Sequence, residues 1–117
     1  MSNKILIIDD DRPILEAITV ILEEEGYDVR GSIQGDTIYS LTSPLPDLIL
    51  LDIWLSGHNG GDLLAFLKSK ELLKDIPVVI ISANRNLPEI AKDSGATTYI
   101  EKPFDIDKLL AVVKSLL

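Results

Sequence analysis

Cysteine is absent from the 117 residues. Disulfides, thiolate metal centres and cysteine nucleophiles are thereby excluded, and the lack of cysteine agrees with a cytoplasmic setting. Histidine occurs once, as His58, so no multi-histidine metal site can be assembled. Positive charge is scarce: 11 Lys and Arg stand against 19 Asp and Glu, a formal net charge of −8. That balance argues against nucleic acid or an anionic membrane as a direct partner and suits the binding of cations. No apolar run approaches the ~18 residues needed to cross a bilayer. Met1-Ser2-Asn3-Lys4 leads directly into the first apolar run, so no secretory leader is expected.

What is present is a hydrophobic content of 46%, enough for a single domain over residues 1–117 with a real core. The apolar residues fall in short, blunt runs, as in strands buried on both faces. These are Ile5-Leu6-Ile7-Ile8, Leu48-Ile49-Leu50-Leu51 and Val78-Val79-Ile80-Ile81, with a fourth, shorter run at Thr98-Tyr99-Ile100. Tyr27-Asp28-Val29-Arg30 alternates and reads as a more exposed strand. Helical spacing fills the gaps. Ile14, Ile18, Ile21 and Leu22 predict a helix over 12–25, begun by Pro13 and closed by Gly26. A weaker helix is predicted over 35–42, stopped by Pro44 and Pro46, and a third over 63–71 after a glycine-rich loop at 56–61. Two more follow, over 87–94 and from Asp105 to the terminus. A β-α unit repeated five times predicts an α/β fold: a parallel sheet with helices on both faces.

In such a sheet, ligands bind beyond the carboxyl ends of the strands. The first run there meets Asp9, Asp10 and Asp11, the third strand Asp52, the fourth Ser82, and the last Glu101, Lys102 and Pro103. One reading makes Asp11 a helix cap and its neighbours solvated loop acids. The other takes Asp9, Asp10 and Asp52 jointly. Like charges so close disfavour one another, and the usual remedy is a hard cation with oxygen ligands such as Mg²⁺. Beside a metal, Asp52 is suited to accept a phosphoryl group as a nucleophile. Pro103 holds Lys102 near its strand end, where it can pair with Asp52 and then with phosphate. Ser82 offers a hydroxyl, and Tyr99 reads as a half-buried packing residue. Trp54 falls in a polar loop as a rim residue or partner contact. Ser56, His58 and Asp52 make no hydrolytic triad, because no nucleophile elbow surrounds the serine.

Ile7-Ile8-Asp9-Asp10, Leu50-Leu51-Asp52, Ile81-Ser82-Ala83 and Lys102-Pro103-Phe104, in this order and spacing, resemble the response-regulator receiver domains of two-component signalling. The resemblance covers essentially the whole chain. It implies a flavodoxin-like, doubly wound, five-stranded sheet of order 2-1-3-4-5 with five helices. It implies Asp52 as phosphoacceptor, and Mg²⁺ held by Asp9, Asp10, Asp52 and the main-chain carbonyl of Trp54. Ser82 and Lys102 would contact the phosphoryl group, and Ser82 and Tyr99 would act as the switch pair. The Lys102–Pro103 peptide is often cis in that family. The implied partners are a sensor histidine kinase or phosphotransfer protein and a downstream effector. They are met on the surface of the fourth helix, fifth strand and fifth helix, by a monomer or a phosphorylation-dependent homodimer. Such a domain is not an enzyme, although it assists its own phosphotransfer and autodephosphorylation. Ser82 stands where Thr is commoner, and Ser56 where many members have Pro. Trp54 and Asn84 match positions that tune phosphoryl lifetime in that family.

Rival readings are a phosphatase of the haloacid-dehalogenase type, with Asp9 as nucleophile, a flavin binder, and a receiver-like scaffold that is never phosphorylated. Against the first, Pro13 stands where a hydroxyl residue belongs, and Asp52 would have no role. Against the second, the loop after the first strand offers carboxylates, which repel phosphate.

Overall fold

The computed structural model describes residues 3–52, 54–55, 58–83 and 87–117. The apolar runs form the strands β1 (Lys4–Ile8), β3 (Leu48–Asp52), β4 (Val78–Ser82) and β5 (Thr98–Glu101), with β2 (Asp28–Ser32) beside β1. All pairings in this sheet are parallel, as the β-α pattern predicts, and the order is β2-β1-β3-β4-β5, as the family resemblance implies.

Alternate residues of each strand face opposite layers. Leu6, Ile8, Ile49, Leu51, Val78 and Ile80 pack into one core cluster, and Ile5, Ile7, Leu48, Leu50, Val79 and Ile81 into the other. Two buried faces explain why these runs are continuously apolar rather than alternating. Helices α1 (Arg12–Glu24) and α4 (Ile106–Leu116) cover the second cluster with Leu15, Ile18, Leu22, Leu109 and Val113. Helices α2 (Gly60–Ser69) and α3 (Leu87–Ser94) cover the first, through Leu63, Leu64, Leu67 and Ala91.

Local chemistry sets the ends of α1. The Asp11 carboxylate accepts from the Ile14 N–H at 3.3 Å, and Pro13 lies in the first turn. Gly26, at φ 93°, takes the left-handed conformation that lets the chain leave the helix for β2. Asp105 caps α4 in the same way, accepting from the Lys108 N–H at 2.7 Å.

Two expectations need correction. The described residues contain four α-helices, not five: the segment predicted as a helix over 35–42 is a 3-10 helix, Gly35–Ser40. It is too short to repay α-helix nucleation. Gln34 supplies no side-chain cap, and the Ser40 hydroxyl turns back to the Thr37 carbonyl. Ile38, fully buried, is its anchor in the core. The described part of the predicted glycine-rich loop, 58–61, also carries regular structure. Trp54–Leu55 pairs antiparallel with His58–Asn59, and α2 begins at Gly60. Ser56 and Asn84 lie outside the described residues.

Candidate functional site

The sheet brings its chemistry to one edge. Ile8 is paired with Leu51, which sets Asp9, one residue past β1, beside Asp52 at the end of β3. Asp52 is paired with Ile81 and Ser82 with Glu101, so Ser82 and Lys102 follow at the next two strand ends. Main-chain bonds hold the loops there: the Asp9 N–H donates to the Ser32 carbonyl at 3.1 Å, and the Lys102 N–H to the Ser82 carbonyl at 2.9 Å. Asp9, Asp52 and Ser82 are the buried polar residues among those described, 2%, 8% and 2% exposed.

Ligand oxygens of Asp9, Asp10 and Asp52 all lie within 4.8 Å of one another. The Lys102 ammonium bridges two of these acids, 2.9 Å from Asp9 Oδ2 and 3.1 Å from Asp52 Oδ2. The other Asp9 oxygen accepts from the Asp11 N–H at 2.9 Å and so shapes the loop into α1. Burial, the largest single influence on Lys102, disfavours its charge. The hydrogen bond to Asp9 and the charge and hydrogen bond of Asp52 outweigh it together, so the Lys102 pKa lies above the ordinary lysine value. Lys102 is therefore an ammonium at neutral pH. Three carboxylates and one ammonium leave a local surplus of two negative charges. A hard divalent cation cancels that surplus, and oxygen donors alone suit Mg²⁺ or Ca²⁺ rather than a softer metal. The donor set thus fits the ion expected from the sequence.

The two readings of the acidic run are both present. Asp11 caps α1, while Asp9 and Asp10 converge with Asp52. Tyr99 is half-buried and packs against the cluster beneath α2 and α3, opposite Ile80 in β4. Trp54 lies in the short ribbon directly after Asp52. The Lys102–Pro103 peptide is cis. Sequence reading paired Lys102 with Asp52 and missed Asp9. Lys102 lies 93 residues from Asp9 in the chain, and spacing carries no signal for which acid it meets first.

Comparison with known proteins agrees with this geometry. The family model described as "Response regulator receiver domain" matches residues 5–114. The phosphate regulon transcriptional regulatory protein PhoB of Escherichia coli is 34% identical over 120 residues, covering 100% of this chain and 52% of PhoB. The DNA-binding dual master transcriptional regulator RpaA of Synechocystis is 39% identical over 117 residues, covering 97% of this chain and 48% of RpaA. The chain therefore spans about half the length of these relatives. Among solved structures, the receiver domain of NtrX from Brucella abortus superposes with a TM-score of 0.85 at 35% identity, covering 97% of each chain. A strand order of 2-1-3-4-5, an acid cluster at the strand ends and a family match over nearly the whole length lead to one conclusion: the chain belongs to the response regulator receiver domain family.

Proposed function

We propose that residues 1–117 form one receiver unit that works as a Mg²⁺-dependent phosphorylation switch, with Asp52 as phosphoacceptor. The observation that carries this reading is the Lys102 ammonium bridging Asp9 and Asp52 at 2.9 and 3.1 Å beside a third carboxylate. Asp9, Asp10, Asp52 and the Trp54 carbonyl hold the ion. When bound, Mg²⁺ supplies neutralisation of the phosphoryl oxygens during transfer. An Asp52 carboxylate oxygen attacks phosphorus in line. The bond from phosphorus to the donor histidine nitrogen breaks, and the imidazole leaves with the electron pair. Lys102 releases its bond to Asp52 and follows the charge onto a phosphoryl oxygen.

The modified Asp52 then draws the Ser82 hydroxyl toward it. Tyr99 gains space on the same side of the sheet, and the surface of α3, β5 and α4 shifts between two arrangements. The donor is a sensor histidine kinase or a phosphotransfer protein, and the effector is engaged through that surface. This unit makes no direct contact with nucleic acid or membrane and acts in the cytoplasm, as a monomer or as a homodimer formed on phosphorylation. Hydrolysis of the aspartyl phosphate, assisted by the same groups, resets it. No described helix is long and apolar enough to cross a membrane.

Intact-mass measurement after incubation with acetyl phosphate and Mg²⁺ tests the reading. One phosphate adduct is expected, lost in Asp52→Asn and on prior addition of chelator. An adduct that survives Asp52→Asn would place the acceptor elsewhere, with Asp9 first in line.

A further inference from the structure

A concavity lies away from the acid cluster, at the opening ends of β1 and β2. On β2, Val29 packs into the core beneath α1 and α4. Asp28 and Arg30 alternate with it and so face the other layer, next to Lys4 and Leu6 of β1. A full helix over this corner would bury them. The chain offers only the six-residue 3-10 helix and then a run containing Leu41, Thr42, Pro44 and Pro46. Between this run and the sheet is an open hollow of about 180 Å³.

The hollow has a divided lining. Leu6, 2% exposed, belongs to its floor, and Leu41, Pro44 and Pro46 form an apolar side. Of its two cations, Lys4 is taken up by Asp28 at 3.2 Å. The Arg30 side chain has no hydrogen-bond or ion-pair partner among the described residues, and neither does the Thr42 hydroxyl. Arg30 is exposed and lines the hollow, so its guanidinium is open to an anion that enters it. Its planar fork matches a carboxylate in two parallel hydrogen bonds. By volume alone the hollow has room for one ring or branched group, since about 150 Å³ suffices for benzene.

We infer that the hollow binds a small monocarboxylate with a compact apolar body, of the size of benzoate, its carboxylate on Arg30 and its body against Leu41 and the two prolines. The site begins where β1 and β2 begin, whereas Asp9 lies past the far end of β1. Binding is therefore independent of Asp52 and unaffected by Asp52→Asn.

Titration of the isotope-labelled chain with benzoate, followed by amide resonances, tests this. Saturable shifts at Leu6, Arg30 and Thr42 are expected. Benzamide, which lacks the charge, and acetate, which lacks the body, should bind at least about tenfold more weakly. Arg30→Gln should weaken benzoate about tenfold, and so should Thr42→Glu, which sets a carboxylate in the wall. Both positions are exposed, and circular dichroism checks that each variant folds. If one variant fails to fold, the other decides. Absence of saturable shifts at these amides, equal binding of benzamide or acetate, or unchanged affinity in a folded variant would overturn the proposal.

Discussion

Lys102 is the residue on which the acid cluster depends. Its side chain is 17% exposed, and it is the cation seen between Asp9 and Asp52. Removing one partner of a buried charge pair leaves the other uncompensated. Lys102→Met should therefore destabilise the metal-free domain by about 2 kcal/mol in urea unfolding, and by less when Mg²⁺ is added. The pH dependence has a definite sign. The folded pKa of Lys102 is raised, so its contribution is complete below the unfolded lysine value of about 10.4 and fades as pH climbs through the higher folded value. Unfolding of wild type and Lys102→Met in chelator should differ steadily from pH 7 to 9, and converge above the unfolded value. A gap that is absent or already closed between pH 7 and 9, where both partners are charged, would show that the pairing is not what Lys102 contributes.

The elements differ in how firmly their ends are set. Asp105 accepts the Lys108 N–H at 2.7 Å, whereas Asp11 accepts the Ile14 N–H at a longer 3.3 Å. Losing an N-cap costs roughly 0.5–2 kcal/mol, so Asp105→Ala should be the more damaging of the two in denaturant titration. Equal losses would mean that cap geometry does not set the ranking. Ile38 makes a similar point for the 3-10 segment. It is fully buried, and Ile38→Ala should cost about 2–4 kcal/mol by the same measurement. The strands were legible because residues such as Ile5 to Ile8 and Leu48 to Leu51 are apolar without interruption, which only a doubly covered sheet demands. Segment 35–42 was not. Ile38 and Leu41 are three apart, a spacing that an α-helix and a 3-10 helix both satisfy, and length decided between them. The ribbon of Trp54–Leu55 with His58–Asn59 is two residues a side, too short for any period to register. The strand-end acids were readable as a group because the parallel topology fixes where strands end. The Lys102–Asp9 contact was not, because it joins positions whose separation is set by the whole fold.

At the scale of the molecule, the two cores and the acid cluster pull in opposite directions. Fully buried Ile and Leu side chains from both faces each contribute about 1.5–3 kcal/mol. The same sheet then gathers Asp9, Asp10 and Asp52 at one edge of a chain that already carries a net charge of −8. Self-repulsion of this kind disfavours the compact state. A cation that binds only the folded form offsets it through mass action, by about 2.7 kcal/mol at a hundredfold excess over its Kd. The domain should therefore gain thermal stability with rising Mg²⁺, at constant ionic strength, along a saturating curve. Asp10→Asn removes one candidate ligand and one negative charge together. Its response to Mg²⁺ should be largely lost, whatever the metal-free melting temperature. Calorimetric melts of both proteins across a Mg²⁺ series measure this. A wild-type Tm that ignores Mg²⁺, or an Asp10→Asn protein that follows it as steeply as wild type, would mean that the three carboxylates do not act together as a cation site.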